Sequence, residues 1–177
     1  MSARHDIRRL AMQVLYQLDV TRPRKSAAAR DSAHRADSGL PSADQLAEEL
    51  DEEHDSASTR RFAADLALAA WAVHPAADER VATLAPDWPT HRQPPVDRAI
   101  LRLAYYEITS GHAPPKVAIN EAVELAKQYC AENAPAFING ILDKLVRQPA
   151  LDQDDISPTP PPVPETADEW LDDAVNG

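Results

Sequence analysis

Apolar side chains recur along most of this chain at intervals of three and four residues, the spacing of one face of an α-helix. In the first such segment, from about Ala3 to Asp19, they form one stripe made of Ile7, Leu10, Ala11, Val14, Leu15 and Leu18. The same spacing predicts six further helices, at about Asp44–Asp55, Ser58–Val73, Ala77–Leu84, Pro95–Ser110, Pro115–Cys130 and Ala134–Val146. We therefore predict an all-α fold, a compact bundle of about seven helices.

Prolines, glycines and an asparagine mark the predicted helix ends. Pro75 is expected to end the third helix, because proline disfavours a helical conformation in the residue before it, whereas Pro95 suits the first turn of the fifth. Gly111 follows the fifth helix and supplies a left-handed cap, and Asn133 is a suitable N-cap for the seventh. Gly140, inside the seventh helix, is interpreted as a point where another helix packs closely.

Two segments lack helical spacing. Residues 21–43 mix charged, small and proline residues without periodicity, which indicates a flexible insertion. From residue 150 onward, prolines at positions 158, 160, 161, 162 and 164 favour extended polyproline II over a packed fold. We expect one folded domain, residues 1–149, followed by a disordered, Pro-rich acidic tail, residues 150–177.

The net charge of −11 is distributed unevenly along the chain. Residues 1–35 hold eight Lys/Arg and three Asp/Glu, a net charge of +5. Residues 36–59 and 150–177 each hold eight acids and no Lys/Arg, and residues 60–149 are neutral. An acidic total argues against a nucleic-acid partner, but a basic N-terminal segment beside acidic appendages is typical of an interaction protein.

Several classes of function have no support in the residues. The four glycines are too far apart for a P-loop or a dinucleotide fingerprint, and no nucleophile motif is present. The six histidines form no i, i+4 pair and there is one cysteine, so we expect neither a metal site nor a disulfide. No apolar run approaches the roughly 20 residues of a membrane span. We expect a cytoplasmic, non-membrane protein without catalytic residues or cofactors.

Binding is the remaining possibility. Three arginines of the first helix are placed to meet phosphates: Arg4, Arg8 and Arg9. Three aromatic residues are candidates for stacking on unpaired bases: Tyr16, Tyr129 and Phe137. On periodicity alone the plainer interpretation is stronger, because helical aromatics usually belong to a core and a row of arginines is usually a solvated face.

Four segments change this picture because their residues and spacing resemble one family. They are RLAYYE (102–107), KVAINEA (116–122), ELAK (124–127) and FINGILDK (137–144). With RRLAMQVLYQLDV (8–20), they closely resemble the NusB family, and the resemblance covers residues 4–20 and 62–147. It implies an all-helical fold in two subdomains. It also implies joint binding of single-stranded boxA-type RNA with the small-subunit ribosomal protein NusE, on RNA polymerase elongation complexes at ribosomal RNA operons, without catalysis.

The resemblance also assigns roles to individual residues. Arg4 and Arg8 match basic positions of the family's arginine-rich N-terminal segment, and Tyr16 matches its Leu-Tyr aromatic. Three residues match positions near the RNA at the junction of the sixth and seventh helices: Tyr129, Asn133 and Phe137. Tyr106 and Glu107 match a Tyr-Glu pair on the partner-binding face.

Three departures from the family pattern carry expectations of their own. His5 and Asp6 interrupt the arginine-rich segment, which should weaken RNA binding by the isolated protein and increase its dependence on the partner. Asn133 stands where many relatives have Asp, which keeps the capping role and removes a charge that repels phosphate. The insertion at Thr21–Asp55 has no clear family counterpart and is interpreted as disordered padding, and the acidic tail has no clear family counterpart either. It is either disordered padding or a competitor of RNA for the early arginines, in which case deleting residues 150–177 should tighten RNA binding at low salt.

Two other functions remain as alternatives. The N-terminal RNA-binding domain of certain rRNA cytosine methyltransferases shares this fold, but it precedes a large catalytic domain with catalytic cysteines. The other alternative is a helical protein–protein adaptor that does not bind RNA, which the thinned arginine segment favours.

Overall fold

The structure, a computed structural model, describes residues 3–22, 39–50 and 55–148. This part of the chain is all helical, without a strand, as the spacing predicted. Its seven helices are α1 (Ala3–Thr21), α2 (Ala43–Glu49), α3 (Ala57–Ala72), α4 (His74–Leu84), α5 (Pro95–Thr109), α6 (Pro115–Tyr129) and α7 (Ala134–Arg147), with a 3-10 turn at Thr90–Arg92. Most of the predicted insertion and all of the predicted tail lie outside the described residues.

Helix α5 is the centre of the bundle. The first subdomain, α1 to α3, packs against it through α1 and α3. The second subdomain, α4 to α7, includes α5, and its other helices, α4, α6 and α7, cover the remaining sides of α5. One continuous apolar core includes residues from all seven helices. α1 and α5 run antiparallel, since Arg8 is bonded to Glu107 while Asp19, near the other end of α1, is bonded to Arg98. As a result, α5 is buried on nearly every side.

Several helix ends differ from the prediction. Pro75 lies in the first turn of α4, where its missing N–H would have no helical partner in any case. The residue spacing therefore misplaced the start of α4 by three residues. α2 ends at Glu49 instead of Asp55, and the buried Leu50 that follows it has an extended backbone. A capping box between Ser42 and Gln45 fixes the start of α2.

Two glycines had predicted roles, Gly111 as a left-handed helix cap and Gly140 as a point of close helix packing. Gly111 has a φ of 72°, so the expected left-handed conformation after α5 is confirmed. Gly140 is not a close packing point. A Cβ placed on it would have no atom within 4 Å, so it lies on an open part of α7.

Asn133 does not cap α7 with its side chain, although it occupies the N-cap position. Its backbone is helical (φ −89°, ψ −11°), whereas a capping residue normally has an extended backbone that aims its side chain at the first amides. Pro135, in the first turn, also removes one of the amides that a cap would satisfy. The predicted capping role is therefore wrong, and the amide of this exposed residue is available for other contacts.

Candidate nucleic-acid interface

One side of α1 presents polar and aromatic residues away from the core. Arg9, Gln13, Tyr16 and Val20 are spaced i, i+4, i+7 and i+11, so they share one face of the helix. Tyr16 is 39 % exposed and Val20 50 % exposed. At 1.5 Å per residue, the row extends over roughly 16 Å. It combines a phenol ring, an amide and a guanidinium, which are groups suited to an unpaired nucleic-acid strand.

The three early arginines have three different environments. Arg4 is exposed, and its guanidinium has no ion-pair partner within the described ranges. Arg9 is half-buried, and its Nη2 lies 2.8 Å from Oδ2 of Asp55, just before α3, with Asp6 at 3.8 Å. Arg8 is buried. Only Arg4 is therefore free to meet a phosphate without breaking a contact seen in this structure.

The burial of Arg8 corrects the prediction that it lies on the RNA-binding surface. Its Nε donates to both carboxylate oxygens of Glu107, at 2.9 and 3.1 Å, and its Nη2 lies 2.8 Å from Oε1. The helical spacing did not reveal this pair, because its members are 99 residues apart. A buried arginine needs such a partner, since leaving the charge unpaired would cost several kcal/mol, on the order of 3–5.

The predicted partner-binding pair is buried as well. Tyr106 is 3 % exposed and Glu107 1 % exposed, so neither side chain is on the surface of the described part of the chain. The Tyr106 ring lies 6.1 Å from the ring of His112, which is exposed in the turn after α5. Direct contact between either member of this pair and a partner is not available in this arrangement.

The end of α6 lies close to the start of α1. Nδ1 of His5 is 2.9 Å from Oε2 of Glu121, and its Nε2 is 3.4 Å from Nε2 of Gln128. Tyr129, the next residue, is 42 % exposed, and Asn133 beyond it is exposed. His5 therefore brings the α1 terminus that carries Arg4 next to the helix that carries Tyr129. Tyr16 lies three turns further along α1.

Phe137 is only partly available. It is half-buried in the first turn of α7, where its ring lies 5.6 Å from the ring of Trp88 at an interplanar angle of 55°. Trp88 is 43 % exposed, yet the spacing of apolar residues did not single it out, because it lies outside any helix. The available signal was a large aromatic between Pro86 and Pro89 in a loop, the kind of segment in which binding residues concentrate.

A buried ion-pair network holds α1, α4 and α5 together at the other end of α1. Arg98 and Arg102 of α5 both donate to Asp19 of α1, and Arg102 also donates to Asp78 of α4 at 2.7 and 2.8 Å. Burial alone would raise the pKa of Asp19, but hydrogen bonds from the two arginines and their positive charges hold it below its usual value. This network holds α1 in a fixed position against α4 and α5, and so fixes the position of the exposed row Arg9, Gln13, Tyr16 and Val20.

The lone cysteine shows no sign of a reactive site. Burial raises the pKa of the Cys130 thiol to about 12, and a hydrogen bond with Asp97 and the negative charge of that group contribute. A thiol of that pKa is almost entirely protonated near pH 7. Within residues 3–22, 39–50 and 55–148, no three His, Cys, Asp or Glu side chains are grouped so as to hold a metal ion. In the same ranges no helix has the length and apolar character to cross a membrane.

Comparison with known proteins decides the family. A model of the NusB family matches residues 5–147. The chain belongs to the NusB family. NusB proteins are transcription antitermination factors that bind RNA and catalyse no reaction, so the resemblance, and with it the prediction of a non-enzymatic protein, is confirmed.

Relatives of similar length support the assignment to the NusB family. The transcription antitermination protein NusB of Herpetosiphon aurantiacus is 37 % identical over 156 residues, which cover 86 % of this chain and 95 % of that protein. NusB of Roseiflexus castenholzii is 35 % identical over 148 residues, covering 82 % and 92 %. The solved structure of T. maritima NusB has a TM-score of 0.62 and 29 % identity, covering 82 % of this chain and 91 % of that one.

Proposed function

We propose that this NusB-family protein binds single-stranded boxA-type RNA jointly with the ribosomal protein NusE, in the cytoplasm, on RNA polymerase elongation complexes at ribosomal RNA operons. We further propose that residues 1–149 form the RNA-binding domain and that residues 150–177 are an appendage to it. The observation that carries the proposal is the exposed Tyr16 ring, on the same face of α1 as the Arg9 guanidinium. A stacking ring and a cation on one face of a helix, two turns apart, are suited to an unpaired strand, with one group for a base and the other for a phosphate.

The described residues make two kinds of contact with the RNA, ionic contacts with phosphates and stacking or hydrogen-bond contacts with bases. Arg4 and Arg9 contact phosphates, with Arg9 exchanging Asp55 for the RNA. Tyr16 and Tyr129 stack on bases, each contributing about 1–3 kcal/mol, and the Asn133 amide reads a base edge or a phosphate. Arg8 contributes indirectly, because its pair with Glu107 holds α1 in place.

The best candidate for the NusE-binding surface is the turn after α5, which covers Tyr106 and Glu107. Both residues are buried and lie beneath the turn that follows α5, where His112 is exposed. The main-chain N–H of Ala113 donates to the carbonyl of Glu107 at 3.2 Å, so this turn is tied to the end of α5. We propose that Tyr106 and Glu107 support the NusE-binding face from below, while His112 and its neighbours touch the partner.

RNA titration of the full chain, with and without NusE, tests the RNA-binding proposal at about 50 and 200 mM salt. Tyr16→Ala is expected to lose about fivefold or more in affinity. Arg4→Gln should lower the salt slope by about 0.7, the value for one phosphate contact with a single strand. The matched control is Arg61→Gln, since Arg61 is an exposed arginine of α3 that already pairs with Asp44 and Asp65.

One observation favours a second candidate function, the protein–protein adaptor. Two of the three early arginines are paired within the chain, Arg8 with Glu107 and Arg9 with Asp55. If boxA RNA has no measurable affinity even in the presence of NusE, while NusE itself still binds, the adaptor is the correct function.

A further inference from the structure

Trp88 is an exposed indole on a loop that is held rigidly. The main-chain N–H of Trp88 donates to the carbonyl of Ala85 at 3.0 Å, and the side-chain amide of the buried Gln93 donates to the main-chain carbonyl of Trp88 at 2.9 Å. Arg98 of α5 donates to the carbonyls of Thr90 and Gln93, which ties the same loop to the ion-pair network. Little conformational entropy is therefore lost when this ring contacts a ligand.

The indole is supported on one side by α7. Its ring lies 5.6 Å from that of Phe137, a separation typical of paired aromatic rings, and 43 % of the residue remains exposed. Phe137 follows the α6–α7 junction, where Tyr129 and Asn133 are exposed. The Trp88 ring thus adds to the aromatic surface that begins at this junction.

A histidine and two cationic side chains lie on the segments that adjoin the indole. His91 and Arg92, in the 3-10 turn that follows, are exposed and have no ion-pair partner in the described part of the chain. Lys144 lies two turns after Phe137 on the same face of α7, and its Nζ is 3.4 Å from the carbonyl of Leu84. The open side of Gly140 lies on α7 between these two residues. Asp87, which precedes Trp88, is an exposed acid in this region.

We propose that Trp88, backed by Phe137, stacks on an unpaired base of the bound RNA and that Arg92 and Lys144 contact the adjoining phosphates. The residues Trp88, Phe137, Arg92 and Lys144 are called the Trp88 surface below. This inference rests on the proposed RNA-binding function and extends it, because the RNA then continues past the α6–α7 junction onto a further segment of the protein.

Charge and the distribution of apolar groups favour RNA over a protein at the Trp88 surface. A protein partner would be expected to bury a wider apolar core around a tryptophan. The other exposed large apolar residues within the described ranges lie on α1, α6 and the far side of α7: Tyr16, Val20, Val117, Tyr129 and Val146. Val146 is nine residues from Phe137, half a turn away around the helix. An exposed indole backed by Phe137, with the cations Arg92 and Lys144 on adjoining segments, matches a base between phosphates.

The test compares variants of the full chain by RNA titration, alone and with NusE. Trp88→Ala is expected to reduce RNA affinity about fivefold or more, while Trp88→Phe retains most of it because a ring remains. Val146→Ala, on the opposite side of α7, is the control and should bind as the unchanged protein does. The double variant Arg92→Gln/Lys144→Gln leaves both rings in place and should lower the salt slope by about 1.4, two contacts of about 0.7 each. Thermal unfolding shows whether each variant is folded.

The outcomes separate this inference from the function on which it rests. If the unchanged protein binds no RNA with or without NusE, the proposed function fails and the inference fails with it. If it binds RNA and Trp88→Ala binds equally well, only the Trp88 surface is refuted. If Trp88→Ala keeps its RNA affinity but loses NusE, the surface is a protein contact and the inference is overturned. If Trp88→Ala does not fold, the salt slope of the double variant decides: an unchanged slope refutes the inference.

Discussion

The buried pair of Arg8 and Glu107 gives a sharp test of the difference between a structural arginine and an RNA-binding one. In Glu107→Leu, the guanidinium of Arg8 stays in a site where only 9 % of its side chain is exposed, but its three close carboxylate contacts are gone. Removal of one member of a buried pair costs about 3–5 kcal/mol. For a domain of this size, that corresponds to a fall in melting temperature of roughly 10 °C.

The assay is urea unfolding followed by circular dichroism, with the double variant Arg8→Met/Glu107→Leu as the second arm. Replacement of both charges by apolar groups should recover most of the stability, because no unpaired charge remains. Glu124→Gln is the control. Its exposed pair with Lys127 on α6 should contribute less than about 1 kcal/mol.

Two results would refute this reasoning. One is a loss of less than about 1 kcal/mol in Glu107→Leu, since that is an ordinary surface effect. The other is a folded, stable double variant that has lost RNA binding, because Arg8 would then be an RNA contact in spite of its burial. We expect the double variant to bind RNA about as well as the unchanged protein.

Three further predictions follow from single residues. The pKa of Asp19 is lowered in the folded protein, so its contribution to stability is present above about pH 4, its unfolded pKa, and is lost as the pH falls through the folded pKa. Asp19→Asn should therefore show a shallower loss of stability between about pH 5 and 2 in urea titrations; an acid slope like that of the unchanged protein would count against the network. Cys130, with a pKa of about 12, should react with iodoacetamide at pH 8 at least about 100-fold more slowly than the urea-unfolded chain, and equal rates would contradict the burial of its thiol. Asp55→Asn releases Arg9 and should tighten RNA binding at low salt by about 0.5–1 kcal/mol, or two- to fivefold, in the titration described above; unchanged affinity would exclude Arg9 from the RNA path.

Much of the fold was predictable, because amphipathic spacing depends on local sequence alone. The stripe of α1 and the turn at Gly111 both have the conformation that their residues indicate. Errors occurred where a neighbouring residue decided the outcome. Asn133 has a good N-cap side chain, but its helical backbone and Pro135 leave that side chain without a capping bond.

The candidate site was less predictable, because burial of charges depends on contacts between distant segments. Arg8 and Arg9 are adjacent in the sequence and have the same chemistry, yet one pairs inside the bundle with Glu107 and the other near its surface with Asp55. The helical spacing of the sequence predicts the same solvent-exposed environment for both arginines. Trp88 was missed for the opposite reason, since a loop residue has no periodicity by which to judge its exposure.

The central position of α5 has a consequence for how the molecule opens. Side chains from both subdomains pack on α5, and its charged residues bond to α1 on one side and to α4 on another. Neither subdomain can detach without exposing apolar groups or an unpaired charge from this helix. Amide protons of α5 should therefore exchange with solvent only through global unfolding, whereas those of the short α2, at the edge of the bundle, exchange through local fraying. Apart from α2, the two subdomains would then behave as one foldon in native-state hydrogen exchange.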